Sequence, residues 1–192
     1  MDHSDNKRSG DLPELIPPDG GYRDLRSYQM AEIVHDATVV FCNRFIDRRS
    51  RTHDQMVQAA RSGKQNIAEG SMASGTSKKT ELKLIGVARA SLEELLVDFQ
   101  DYLRQHGLDH PQARQVRALC YKENRSYSIY KTYTEGGSAE VAANTVICVI
   151  HQTNFLLDQQ LRALEKEFLE EGGFTEKLYR ARSQMRDWKR KT

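Results

Sequence analysis

The chain has 192 residues, a length that suits one domain with an added segment. Hydrophobic residues make up 38% of the sequence and charged residues 29%, which is typical of a helical bundle with a modest core. With 29 basic and 27 acidic residues the formal net charge is +2, so total charge neither favours nor excludes a nucleic-acid partner.

The sequence carries none of the marks of a secreted or membrane-spanning protein. Its first residues, MDHSDNKRSG, are polar and lack the apolar core of a signal peptide. No apolar run approaches the ~18 residues that a membrane span needs. Cys42, Cys120 and Cys148 are far apart, which predicts buried thiols and no disulfide framework or zinc site. We therefore expect a soluble cytoplasmic protein with no membrane contact.

Residues 1–22 are predicted to form a flexible N-terminal arm, because three prolines and a Gly-Gly pair interrupt a stretch with few large apolar residues. The first helix is expected from about Ser27, as N-cap, to Arg48. Its apolar residues recur at helical spacing and define a buried stripe of Ile33, Ala37, Val40, Phe41 and Phe45.

Two closely packed helices are predicted next, the second from about 52–54 to 70–71 and the third from about 76–77 to Gly107. The second carries a stripe of mostly small residues, which lets another backbone approach closely: Met56, Ala59, Ala60, Gly63, Ile67 and Gly70. The third contains no proline and keeps its apolar residues on one broad face: Leu82, Ile85, Leu92, Leu95, Leu96, Phe99 and Leu103. A Ser/Gly-rich break between them favours an antiparallel pair.

An insertion of about 109–137 follows, with a short helix opened by His110-Pro111 and a tyrosine-rich segment that ends at Gly136-Gly137. The fourth helix is predicted from about Ala139 to Glu171, with Ser138 as N-cap and Gly172-Gly173 as its stop. A last amphipathic helix is expected from about Thr175 to Trp188. No alternating strand pattern occurs.

Together these elements predict an all-α protein built as an up-down-up-down antiparallel four-helix bundle. The bundle would span residues 23–171, with an inserted short helix between helices three and four. Residues 172–192 would form an extra basic C-terminal helix.

Enzymatic sites are not supported by the residue patterns. The break 70–79 lacks the Gly-Lys pair of a phosphate-binding loop, because Thr76 follows Gly75. His106 and His110 are separated by a helix-breaking glycine, so we expect no metal and no cofactor.

Asn66, Glu69 and Gly70 are assigned to the fold, because no nucleophile or second acid–base group is spaced to work with Glu69. The start of the long helix, with Lys78 and Lys79 beside unpaired backbone N–H groups, could hold an anion. An ordinary capped turn with solvated lysines is the alternative.

Basic clustering is the feature that favours a binding function. Basic residues gather at the end of the first helix, on the second, at the start of the third and along the C-terminal helix, whereas the fourth becomes acidic toward its end. The residues expected to contact phosphates are Arg48, Arg49, Arg51, Lys64, Lys78 and Lys79, with Arg182, Arg186, Lys189 and Arg190 as an auxiliary set.

Other interpretations of the same clusters stay open. The charges could form a solvated face, or the basic tail could dock on acidic surfaces of helix four in the same or a neighbouring chain. The tyrosines and lysines of 121–133 could stack on unpaired bases, or the tyrosines could pack the insertion onto the bundle.

The string Asn66-Ile67-Ala68-Glu69-Gly70, followed by a Ser-containing turn and Ser91-Leu92-Glu93-Glu94-Leu95, resembles a hallmark of a four-helix-bundle family. This family is named for proteins encoded in rRNA intervening sequences. The stretches 143–158 and 172–174 resemble a subgroup with a C-terminal suffix extension. The insertion of about 109–137 and the last helix depart from the simple family pattern.

The resemblance implies an up-down bundle that in relatives assembles into a ring-shaped homopentamer. Some relatives are accessory proteins of diversity-generating reverse transcriptases and bind nucleic acid through basic surfaces. We therefore expect a non-enzymatic, self-associating protein that binds structured RNA or DNA. The rival expectation is a protein-interaction module with no nucleic-acid role.

Overall fold

The computed structural model describes residues 21–108 and 127–191, and the predicted all-α class is confirmed within them. A short 3₁₀ turn at Tyr22–Asp24 precedes the first helix. The helices are α1 (Arg26–Phe45), α2 (Arg51–Ala73), α3 (Lys78–Gln105), α4 (Tyr127–Gly136), α5 (Ala139–Glu171) and α6 (Phe174–Lys191).

Serine hydroxyls cap three of these helices and explain where they begin. Ser50 accepts a hydrogen bond from the N–H of Thr52 at 3.2 Å, and Ser77 accepts one from Thr80 at 3.2 Å. Ser138 accepts one from the N–H of the third helical residue, at 3.3 Å, as predicted. Each hydroxyl satisfies a backbone donor that the first helical turn leaves without a partner.

The predicted cap of the first helix is wrong. Leu25 occupies the N-cap position, and Ser27 lies buried in the first turn, where its hydroxyl donates to Oε1 of Gln160 on α5 at 2.8 Å. The serine therefore joins two helices and does not start one. The buried face of α1 is correspondingly rotated from the predicted stripe and consists of Ser27, Met30, Ala31, Val34, Ala37, Thr38, Phe41 and Cys42.

The small-residue stripe of α2 packs against α3 as predicted. A Cβ added to Gly63 would lie only 2.6 Å from Cδ2 of Leu92, so the two helices meet where the side chain is absent. At Gly70 a Cβ would lie 3.3 Å from Cδ1 of Ile85. Because residue numbers rise on α2 while those of the contacted residues fall on α3, the pair is antiparallel.

Further contacts run between α5 and both α3 and α1. Arg89 of α3 pairs with Asp158, and Glu93 accepts a hydrogen bond from Asn154, so α3 and α5 also run in opposite directions. Ser27 near the start of α1 meets Gln160 late in α5. Helix α1 also packs against α2.

Aromatic rings fill the core near the ends of α1 and α3. The ring of Phe41 contacts Phe99 and Tyr102, each with a centroid distance of 4.9 Å, and Phe45 at 5.2 Å. Phe41 and Phe99 are fully buried. Such edge-to-face contacts favour one packing arrangement over others of equal apolar area.

The insertion contributes α4, a helix in the part expected to be a tyrosine-rich segment. Tyr130 is 2% exposed, and its hydroxyl donates to Oε1 of Gln152 on α5 at 3.2 Å. With α4 packed on it, α5 is buried on every side from residue 142 to 150. The predicted short helix after His110-Pro111 lies outside the described residues.

Gly172 ends α5 with a φ of 74°, a conformation that favours glycine, and α6 follows at once. Every described side chain of α6, residues 174–190, is at least partly exposed. Within the described ranges, no helix combines the length and apolarity that a membrane crossing requires.

Two glycine substitutions test the close contact between α2 and α3. We expect Gly63→Val to lower the free energy of unfolding by roughly 2 kcal/mol, because the new side chain overlaps Leu92. Gly86→Ala on α3 is the matched control, since a Cβ there meets nothing within 4 Å. It should stabilise the chain by up to ~1 kcal/mol through helix propensity. Urea denaturation measures both, and equal effects of the two changes would contradict the packing described.

Candidate nucleic-acid interface

The connector between α1 and α2 presents three of the predicted basic residues. Arg48, Arg49 and Arg51 are all exposed. The turn that carries them is held by Asp47, whose side chain accepts a hydrogen bond from the N–H of Arg49 at 2.9 Å. Arg44, in the last turn of α1, instead donates to the carbonyls of Thr134 and Gly137 at the end of α4.

At the other end of α2, the structure places Lys78 inside an ion-pair cluster. Its Nζ lies 3.2 Å from Oε2 of Glu81 and 3.1 Å from Oε2 of Glu167, and its side chain is 16% exposed. Burial disfavours the charged form, but the two carboxylates outweigh that effect and raise the pKa of Lys78. Lys78 thus ties α3 to α5, whereas Lys79 is exposed.

Glu81 is the most buried carboxylate of this cluster, at 6% exposure. Burial raises its pKa above the ordinary value, and the neighbouring charge of Lys78 offsets this only in part. Forming the Lys78–Glu81 ion pair therefore costs desolvation free energy, because both charged groups are largely removed from water.

The four basic residues that were predicted as an auxiliary set lie on the solvent-exposed surface of α6. Arg182, Arg186, Lys189 and Arg190 are exposed, and within the described chain none of the four forms an ion pair. The first turns of α6, residues 174–180, form its root and contact the end of α5. Lys177 pairs with Glu171 at 2.9 Å and holds the pKa of that carboxyl below its usual range, while Arg180 donates to the Glu171 carbonyl.

The predicted basic residues do not form one patch. The connector arginines and Lys78–Lys79 lie at opposite ends of α2, whose 23 residues span about 34 Å. Lys64, near the middle of α2, is half-buried. Because Lys78 contacts Glu167 near the end of α5, the root of α6 lies at the same end as Lys79. The exposed basic residues therefore form two separate basic ends, one at each end of α2.

The Asn66–Gly70 string divides between structural contacts and solvent. Asn66 donates to the carbonyl of Ser62 at 2.8 Å, and the Ser62 hydroxyl lies 3.0 Å from that of Ser91 on α3. Gly70 is buried against α3, but Glu69, which was assigned to the fold with it, is exposed. The string therefore contributes packing and a polar link between α2 and α3.

The described residues show no candidate metal site. Within them, no three His, Cys, Asp or Glu side chains converge as metal ligands, and His110 lies outside them.

Cys42 and Cys148 are buried as predicted, and burial, with a smaller contribution from Asp98, raises the pKa of Cys42 to about 12. Such a thiol is unreactive. Tyr130 is packed against α5, which makes it unsuitable for stacking on a base.

No protein-family model matches this chain, and neither a curated protein nor a solved structure matches it.

Sequence reasoning missed the Lys78–Glu81–Glu167 cluster. The i, i+3 spacing of Lys78 and Glu81 was visible in the sequence and is typical of a pair on one helix. The distant Glu167 had no local signal, because only the packing of α5 on α3 brings it near.

The raised pKa of Glu81 gives a pH-dependent prediction. A folded-state pKa above the unfolded value means that the folded chain binds the proton more tightly. The wild type should therefore lose stability as pH rises through the ordinary carboxyl range and the raised folded pKa. Glutamine does not titrate, so the free energy of unfolding of Glu81→Gln relative to wild type should be greater at pH 7 than at pH 4.

Urea denaturation at the two pH values measures this difference. Glu165→Gln, which removes an exposed carboxylate of α5, is the matched control. A relative stability of Glu81→Gln that fell as pH rose would contradict the assignment.

Proposed function

We propose that this chain is a non-enzymatic helical-bundle protein that binds structured RNA or DNA through phosphate contacts. The observation that carries the proposal is the set of four exposed cations on α6, Arg182, Arg186, Lys189 and Arg190, none of which is used in an ion pair of the described chain. Exposed cations that are not held in an ion pair can displace the counterions of a nucleic acid, which favours binding.

Lys79 extends this basic end of the molecule, since it is exposed close to the root of α6. Arg48, Arg49 and Arg51 provide a second contact region about 34 Å away along α2. The length of α2 matches about ten base pairs of duplex at ~3.4 Å per step. Lys78 contributes through the fold, by joining α3 to α5, and we leave it out of the phosphate contacts.

The scaffold we propose for these contacts is an up-down-up-down bundle of α1, α2, α3 and α5. The antiparallel contacts of α2 with α3, and of α5 with α3 and α1, support it. Together with the Asn66–Gly70 string, the same arrangement supports membership of the rRNA intervening-sequence type of four-helix-bundle family. Membership would imply self-association of the kind that relatives show, including a homopentamer.

A protein-interaction module is the second candidate. The ion pair between Lys177 and Glu171 favours it, because it joins the basic helix to a carboxylate at the end of α5. In this alternative α6 recognises acidic protein surfaces and nucleic acid has no part. A purified protein with no excess 260 nm absorbance, and with an absorbance that nuclease treatment and salt washing leave unchanged, would favour this candidate.

The salt dependence of binding tests the nucleic-acid proposal. If four cations of α6 each neutralise one phosphate, affinity for a labelled RNA hairpin should fall roughly a hundredfold between 50 and 200 mM salt. Fluorescence anisotropy across a salt series measures it. Weak binding that does not change with salt would remove the proposal.

Charge reversal on α6 tests the residues. We expect Arg186→Glu with Arg190→Glu to weaken hairpin binding at least tenfold for all base sequences, because both cations are exposed and would contact the backbone only. Arg61→Glu with Lys131→Glu is the control, since it makes the same change in net charge on exposed side chains of α2 and α4. Equal losses in the two variants would indicate a general charge effect and exclude α6 as the site.

A further inference from the structure

One face of α6 combines the four cations that form no ion pair in the described chain with a tyrosine. Successive residues of a helix are rotated by about 100°, which places a set of α6 residues within about one third of its circumference. The members of this basic face are all exposed: Thr175, Tyr179, Arg182, Arg186, Lys189 and Arg190. The basic face contains no acidic residue.

The acidic residues of α6 and its engaged cations lie outside the basic face. Glu176 and Asp187 are rotated away from it around the helix axis. Lys177 and Arg180, which both contact Glu171 at the end of α5, are rotated away as well. The cations that fix α6 to α5 and those that face solvent therefore occupy different sides of the helix.

Tyr179 gives the basic face a property that charge alone does not supply. It is 69% exposed, more than any other Phe, Tyr or Trp of the described chain. By contrast, Tyr102 packs edge-to-face on Phe41, and Tyr130 is 2% exposed. An exposed aromatic ring beside a row of cations is typical of surfaces that bind unpaired bases, because every base offers a π-face for stacking.

The ring and the arginines follow one another along the helix axis. Tyr179 is followed by arginines at positions 182, 186 and 190, a row about 17 Å long at ~1.5 Å per residue. A stacked strand rises ~3.4 Å per nucleotide, so about five nucleotides cover this length. Arg186 donates to the Ser183 hydroxyl at 3.1 Å through Nη2, and its remaining N–H groups can bind a phosphate.

The tyrosine distinguishes unpaired from paired nucleic acid. In a continuous duplex the bases stack on one another, and a side chain on the backbone meets phosphate and sugar. In a loop, a bulge or an end, the bases can turn outward and stack on aromatic side chains. Tyr179 therefore adds binding free energy where an unpaired base is present, whereas the arginines bind phosphates of either form.

We propose that the basic face of α6 binds a single-stranded segment of RNA or DNA, such as a loop, a bulge or an end. Tyr179 stacks on an unpaired base, and the arginines of the same row contact the phosphates of neighbouring nucleotides. This inference rests on the proposed nucleic-acid function and names its substrate class. Stacking tolerates every base, so the site reads the absence of pairing and not the base sequence.

Two labelled RNA hairpins with the same stem and the same number of phosphates test the proposal, one with an ordinary loop and one with an abasic loop. We expect the wild type to bind the ordinary loop roughly tenfold more tightly, because only that loop offers bases for stacking. Fluorescence anisotropy measures both affinities. Equal affinities with a steep salt dependence would overturn the stacking and leave phosphate binding in place. Failure to bind either hairpin would overturn this inference together with the proposed function.

Substitution of the ring assigns the preference to one residue. Tyr179→Ala should make the affinities for the two hairpins equal, whereas Tyr179→Phe should keep the preference, because stacking requires the ring and not the hydroxyl. Phe155→Ala is the control, since it removes a 61% exposed ring from the middle of α5 and should keep the preference. Circular dichroism establishes that each variant remains helical. A preference that survived Tyr179→Ala, or that Phe155→Ala also removed, would overturn the assignment.

The salt dependence separates stacking from charge. Tyr179→Ala should weaken binding of the ordinary loop roughly tenfold without changing the slope of log affinity against log salt, because an uncharged ring displaces no counterion. Arg182→Gln should instead reduce the slope by about 1 for both hairpins. If Tyr179→Ala reduced the slope to the same extent, the tyrosine would act by positioning the arginines, and the stacking contact would be refuted.

Discussion

The contact between Gly63 of α2 and Leu92 of α3 sets the distance between two helices on which the remaining structure depends. A Cβ at Gly63 would overlap the leucine, so the helices approach only because that side chain is absent. With this pair fixed, the first turn of α3 meets the last third of α5, and the Lys78–Glu81–Glu167 cluster can form.

This dependence separates the basic residues into two roles. Lys78 is used to join α3 to α5, and Arg44 is used to hold the end of α4. Lysine and arginine side chains engaged in this way have little capacity left for phosphates. The structure makes no such use of the exposed arginines in the connector between α1 and α2, or of four exposed cations on α6: Arg182, Arg186, Lys189 and Arg190. The residues proposed to contact phosphates are therefore those that the packing of the helices leaves unused.

The sequence by itself determined the elements: the bounds of α3, the Ser138 cap and Gly172 stop of α5, and the small-residue stripe of α2, because caps, glycines and apolar periodicity act within a few residues. Only the tertiary structure decided the partners of Ser27, Lys78 and Tyr130, since each contacts a residue more than twenty positions away. It also decided that Glu69 is exposed and that the basic clusters are separated. Local patterns carry no information on such contacts, because the packing of whole helices brings them together.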